Sequence, residues 1–83
     1  MLINTVTYQT QKNTRFCLHN VAEIVCTNFG KTTVRVNDRT ILPGYSITFA
    51  KCFFIPKIEL KVEFEESEED KKLEISYLVR DDA

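Results

Sequence analysis

The sequence contains few of the residues on which cofactor sites depend: two glycines, two prolines, one histidine and three cysteines among 83 residues. A phosphate-binding loop needs several closely spaced glycines whose backbone N–H groups surround the ligand. The only glycines are Gly30 and Gly44, which are far apart in the chain. Segment 28–32 (NFGKT) lacks the leading glycine and the spacing of a nucleotide-binding loop, so we interpret it as a turn and expect no nucleotide cofactor.

The thiols and the single imidazole give little support for a metal site or a catalytic site. Cys17, Cys26 and Cys52 are an odd, sparse set, which favours reduced thiols in a cytoplasm over a secreted disulfide framework. Zinc needs three or four converging ligands; Cys17 and His19 would share one face of a strand, but no Cys-x2-Cys pair accompanies them. A cysteine beside His19 is also a nucleophilic pair, yet a domain this small has little room for a pocket. We therefore expect no metal, no cofactor and no catalytic residue, and hence no enzyme.

Long apolar runs and helical periodicity are also missing. No stretch approaches the ~20 apolar residues of a membrane helix, and the N-terminus has no basic start followed by an apolar segment. We expect a cytoplasmic chain without a membrane partner. Eighty-three residues limit it to a single domain, 1–83, whose small core leaves a thin stability margin.

What is present is a recurrent strand pattern. Apolar and charged residues alternate strictly over 57–65 and again over 72–80, which predicts two strands that each have one buried face. A polar loop at 66–71 separates them, so we expect an antiparallel hairpin. Its buried positions would include Leu60, Val62, Ile75 and Tyr77. Further strands are predicted near 2–8, 15–19, 21–28, 31–36, 39–42, 45–50 and 52–55.

Turn residues separate these strands at short intervals. Leu42-Pro43-Gly44-Tyr45 fits a type II turn, with proline second and glycine third. Asn37-Asp38 can close a two-residue hairpin, because both tolerate positive φ. We predict an all-β fold: a small antiparallel β-sandwich or partly open barrel of about seven short strands.

Charge is divided unevenly along the chain, although the formal net charge is only −1. Residues 1–57 carry a balance of +5 and residues 58–83 a balance of −6. We define a basic stripe of alternating residues that are predicted to point outward: Lys31, Thr33, Arg35, Asn37 and Arg39. We define an acidic segment within 63–70: Glu63, Glu65, Glu66, Glu68, Glu69 and Asp70.

These charges suggest an interaction surface. The hypothesis is that Lys31, Arg35 and Arg39 of one copy dock on the acidic segment of another, at Glu65, Glu66, Glu68, Glu69 and Asp70. The competing account is that the two groups lie close together in one molecule and neutralise each other. The alternative function is binding of single-stranded nucleic acid along the basic stripe, which would require Phe29, Tyr45 or Phe53 to be exposed nearby.

Part of the sequence is similar to known sandwich proteins. The relevant runs are Thr27-Asn28-Phe29-Gly30, Val34-Arg35-Val36-Asn37-Asp38 and Leu42-Pro43-Gly44-Tyr45-Ser46-Ile47-Thr48-Phe49. They resemble the "N-x-G … L-P-G-x-S" layout of immunoglobulin-like sandwich modules. They also look like the "V-N … L-P-G" segment of small β-sandwich proteins encoded among the structural genes of tailed phages. The resemblance covers about a quarter of the chain and implies a sandwich without catalytic residues.

Together these features predict a non-enzymatic structural or assembly module. It would present sandwich surfaces to copies of itself, as a homo-oligomer, or to a larger complex. The resemblance implies that this module is a component of a phage or prophage virion. Binding of single-stranded nucleic acid by a small β-barrel is the alternative function.

Overall fold

A computed structural model describes residues 2–81 as seven β-strands in one antiparallel sheet, which confirms the predicted all-β class. The strands are β1 (Leu2–Thr10), β2 (Thr14–Asn28), β3 (Val34–Val36), β4 (Arg39–Ile41), β5 (Ser46–Phe49), β6 (Ile55–Phe64) and β7 (Leu73–Asp81). Their order is β1-β7-β2-β6-β3-β4, and β5 pairs with β2. Within 2–81 there is no helix long and apolar enough to cross a membrane.

Strand β2 organises the molecule because its two halves have different neighbours. Residues 14–21 pair with β6, whereas residues 21–28 pair with β7 on one side and residues 24–27 pair with β5 on the other. The register shifts between Ala22 and Val25, and Asn20 and Glu23 both have positive φ. Such a bulge bends a strand sharply. The sheet therefore folds over at this point, and its two halves enclose one core without closing into a barrel.

The core combines alternating residues from both halves of the folded sheet. Its fully buried members include Ile24, Val34, Leu60, Val62 and Ile75. Burial of β-branched and aliphatic side chains on the inner face, with charged residues on the outer face, is what the period of two predicts. Leu60, Val62 and Ile75 are thus buried as expected, while Tyr77 is only half-buried.

The predicted hairpin between 57–65 and 72–80 is wrong. Both segments are strands, as β6 and β7, but β2 lies between them in the sheet. Segment 65–72 is therefore a crossover from one half of the folded sheet to the other. The alternation indicated correctly which face each strand buries, but a period of two carries no information about which strand is the neighbour.

Other boundaries differ from the predicted ones as well. The strands predicted at 15–19 and 21–28 are the two halves of β2, and the strand predicted at 52–55 is mostly a bend. The turns are confirmed. The N–H of Tyr45 donates to the carbonyl oxygen of Leu42 at 3.0 Å, and Gly44 has a φ of 85°. Asn37 and Asp38, with φ of 47° and 68°, form the two-residue turn between β3 and β4.

Candidate interaction surfaces

The longest unprotected edge of the sheet is β1. Among the described residues this strand pairs with β7 alone, from Leu2↔Asp81 to Thr10↔Leu73. Its other side therefore presents backbone N–H and C=O groups in the arrangement of a strand that can accept a neighbour. The sequence of β1, LINTVTYQT, has no charged residue and no proline. Lysine, proline and bulges are the usual features that block edge pairing, so the β1 edge is open to another strand.

The side chains of β1 make this edge partly apolar. Ile3 is 51% exposed and Tyr8 49% exposed, and Val6 is also exposed. The Tyr8 ring packs edge-on against Phe16 of β2, with the centroids 4.7 Å apart. The remaining terminal strands are much shorter, since β4 has three residues and β5 has four. Sequence analysis did not identify this edge, although the uncharged run at 2–10 was a visible signal for it.

The predicted basic stripe is not one surface. Arg35 and Thr40 form a register pair and share the outer face, where an Arg35 Nη2 atom lies 3.5 Å from Glu63 Oε1. Arg39 instead pairs with Val36, whose side chain is buried, and its guanidinium lies 5.6 Å from the centre of the Phe49 ring. A two-residue turn places the residues before and after it on the same face of the sheet. Arg39 therefore lies on the face of Val36 and not on the face of Arg35.

Two other members of the stripe also fail to form an exposed row. Thr33 is half-buried before β3 begins. The side chain of Asn37 is tied to the backbone of β6: its amide donates to the Glu59 carbonyl at 2.8 Å and its oxygen accepts from Lys61 N–H at 2.7 Å. Asn37 therefore fastens the β3–β4 turn to β6 rather than offering a contact to a partner.

The acidic segment lies directly beside the N-terminal end of the basic stripe. The N–H groups of Lys31 and Thr32 both donate to the carbonyl oxygen of Asp70, at 2.8 and 3.0 Å. The hydroxyl of Thr32 donates to the Glu69 carbonyl at 3.0 Å. With the backbone of 69–70 held inward, the carboxylates point outward, and those at Glu65, Glu66, Glu68, Glu69 and Asp70 are all exposed.

Acidic and basic groups are thus adjacent within one molecule. Lys31 adjoins Asp70 through a backbone hydrogen bond, and Arg35 is paired with Glu63. This arrangement agrees with the competing account, in which the opposite charges neutralise each other internally. The Arg35 side chain is 53% exposed and that of Glu63 is 38% exposed, so water and salt weaken their attraction.

Two of the three aromatic residues named as candidates for the nucleic-acid alternative lie at this same end. Phe29 is 58% exposed and Tyr45 66% exposed, and Tyr45 is joined to the neighbouring Asn28 by a backbone hydrogen bond of 3.0 Å. Phe53 is also exposed, but it belongs to the bend before β6. The carboxylates of 65–70 border Lys31, so the field at this end is not that of a cationic groove.

The three thiols fall into two environments. Cys17 and His19 do share a face, as predicted, and the Cys17 Sγ atom lies 3.7 Å from His19 Nε2 on the exposed side of β2. Cys52 is exposed in the bend before β6. Cys26 is fully buried, and desolvation raises the pKa of its thiol to about 12. Because the thiolate is the reactive form, Cys26 is chemically inert at neutral pH.

Comparison of the chain with protein-family models, with curated proteins and with solved structures gives no match. No relative therefore supplies a function or a set of site residues. The chemistry of the surfaces described above has to carry the functional argument, and the β1 edge is the feature with the most direct physical consequence.

Proposed function

We propose that this protein is a non-enzymatic assembly module that joins copies of itself by pairing their β1 strands. The observation that carries the proposal is the uncharged, proline-free, nine-residue edge of β1. Natural sheets rarely leave such an edge unprotected, because it is a template for another strand. An edge that is used for assembly has to stay unprotected.

A second copy is the occupant that best fits this edge. Two β1 strands that pair antiparallel about a two-fold axis form an isologous contact, in which both copies use the same strand and every contact from residue i to residue j is repeated from j to i. No like charges would face each other, since residues 2–10 carry none. Cross-strand pairs of threonine, β-branched and aromatic side chains each contribute roughly 0.2–1 kcal/mol, in addition to the backbone ladder. The β1–β7 half of each copy would then continue into the other.

The assembly in which we propose that this module acts is a phage or prophage virion. It rests on the resemblance of residues 27–49 to small sandwich proteins of tailed-phage structural genes. Virion assembly requires modules that repeat a contact between identical copies, and strand addition at β1 is such a contact. The location proposed for the protein is then the cytoplasm during assembly and the virion afterwards.

Lysines on the β1 edge test the self-pairing. Thr5 and Thr7 are exposed and two apart on β1, so Thr5→Lys/Thr7→Lys places charges that repel their counterparts across the two-fold axis. Ser46→Lys/Thr48→Lys is the matched control, with two exposed positions on the shorter terminal strand β5. Sedimentation should show dimers for the wild type and the control, and monomers for the β1 variant. With a chelator present throughout, a monomeric wild type at high protein concentration, or a β1 variant that still dimerises, would disprove the proposal.

Binding of single-stranded nucleic acid is the second candidate, and one observation favours it. Phe29 and Tyr45 are exposed beside Lys31, and exposed rings can stack on unpaired bases. The neighbouring carboxylates and the Arg35–Glu63 pair weaken the cationic contribution that such binding needs. A mobility-shift assay with single-stranded oligonucleotides at low salt decides it: binding that is lost in Phe29→Ala/Tyr45→Ala would support this alternative.

A further inference from the structure

The exposed pair of Cys17 and His19 has the geometry of two ligands of one metal ion. Both residues lie on the outer face of β2, and the Sγ–Nε2 distance is 3.7 Å. In a tetrahedral zinc site, Zn–S is about 2.3 Å and Zn–N about 2.0–2.1 Å, so the sulfur and nitrogen lie about 3.6 Å apart. The separation of the two atoms therefore already matches that of two ligands of one ion.

One chain supplies only half of such a site. Among residues 2–81 there is no group of three or more potential ligands. Glu59 is the register partner of Cys17 in β6, but its Oε1 atom lies 3.5 Å from Arg15 Nη1. Zinc bound by cysteine and histidine is almost always four-coordinate, so two further donors must come from elsewhere.

We propose that Cys17 and His19 of two copies together bind one zinc-type ion, which bridges the copies about a two-fold axis. The completed site would have two thiolates and two imidazoles, a common set for structural zinc. Each Cys17 thiol loses its proton to solvent on binding, and the two thiolates balance the charge of the dication. Both residues are exposed on a sheet face, so a second copy can approach them.

This bridge goes beyond the proposed pairing of β1 strands and does not depend on it. The ligands project from the outer face of the N-terminal half of β2, whereas the proposed strand addition uses the backbone edge of β1. A protein with both contacts could form chains of alternating interfaces. The two contacts can be separated experimentally, because the β1 lysine variant removes one and leaves the other intact.

The test therefore uses the full chain carrying Thr5→Lys/Thr7→Lys, with zinc alone or cobalt alone as the added metal. We expect one zinc per two chains by equilibrium dialysis, and a doubling of the sedimentation mass that a chelator reverses. Cobalt should give a thiolate-to-metal charge-transfer band. Adding Cys17→Ser or His19→Gln should weaken binding on the order of tenfold or more and abolish the dimer. Adding Cys52→Ser, which removes the other exposed thiol, should change nothing.

Several results would overturn the proposal. Binding of one ion per chain without a change in sedimentation mass would exclude a bridge between copies. An unchanged zinc affinity after Cys17→Ser would exclude Cys17 as a ligand. The absence of a thiolate-to-cobalt band would leave the 3.7 Å contact as a hydrogen bond alone. If the wild-type protein is monomeric in the presence of a chelator, the proposal of β1 pairing fails. The metal experiment still tests the bridge between Cys17 and His19 of two copies.

Discussion

The side-chain amide of Asn28 donates a hydrogen bond to the carbonyl oxygen of Ile41 at 3.0 Å and so joins the ends of β2 and β4. The same amide donates to the Thr32 carbonyl at 2.8 Å, and its oxygen accepts from Gly30 N–H at 3.0 Å. Asn28 is fully buried. One side chain therefore holds three backbone groups at the end of the molecule where Phe29, Tyr45 and the acidic segment meet.

Removal of this amide should strongly destabilise the domain. Asn28→Ala removes the side-chain donor from the carbonyls of Thr32 and Ile41, whereas the Gly30 N–H still donates to the Lys72 carbonyl at 3.1 Å. Each buried group left unsatisfied costs about 1–3 kcal/mol. We expect a loss of about 3 kcal/mol in the free energy of unfolding, measured in urea. Asn4→Ala, at an exposed position on β1, is the control and should change stability by less than about 0.5 kcal/mol. Equal effects of the two substitutions would contradict the role assigned to Asn28.

The two glycines should respond differently to alanine. A Cβ atom on Gly30 would lie 2.6 Å from the Lys72 nitrogen and 2.7 Å from the Asp70 oxygen, both backbone atoms. Gly44 has open space around it, and its φ of 85° is the only obstacle, worth about 1 kcal/mol. Gly30→Ala should therefore lower the unfolding free energy more than Gly44→Ala does. If denaturation midpoints show the reverse order, the contact between the Gly30 turn and segment 70–72 is not as close as described.

Because the thiol of Cys26 is buried, the stability of the folded protein should fall at alkaline pH. Burial raises its pKa from 9.0 to about 12, so the folded protein retains a proton that the unfolded chain releases. The resulting stabilisation is complete below about pH 9 and is lost as pH rises toward 12, by up to about 1.4 kcal/mol per pH unit. Cys26→Ala lacks this group. The stability of the wild type relative to Cys26→Ala should fall between pH 9 and 11, and a constant difference would contradict the prediction.

The charged surfaces should act within one molecule. Arg35→Glu places a like charge beside Glu63 and should destabilise the monomer by less than about 1 kcal/mol, since both side chains are in contact with solvent. The exchange Arg35→Glu/Glu63→Arg should restore only part of this stability, because Glu63 Oε1 also lies 3.6 Å from Lys61 Nζ. Sedimentation of Arg35→Glu/Arg39→Glu at low and high salt should match the wild type. Assembly that weakens with salt and with this charge reversal would instead revive docking between copies.

Local chemistry determined much of this structure. Strict alternation over 57–65 and 72–80 was enough to predict which faces of β6 and β7 are buried, since successive side chains point to opposite sides of a strand. Asn37-Asp38 and Leu42-Pro43-Gly44-Tyr45 were enough to predict two turns, because few residue types adopt the required φ values. The spacing of Cys17 and His19 likewise placed them on one face.

Only the tertiary structure decided how the strands are arranged. The bulge between Ala22 and Val25 makes β2 a member of both halves of the folded sheet, which separates β6 from β7 and leaves β1 at an edge. The same arrangement places Arg35 beside Glu63. Residue alternation describes one strand at a time, whereas the choice of neighbour depends on which packing of all strands buries the shared core and satisfies the backbone. For that reason the sequence by itself indicated the faces of the strands, and the fold decided which edge is open.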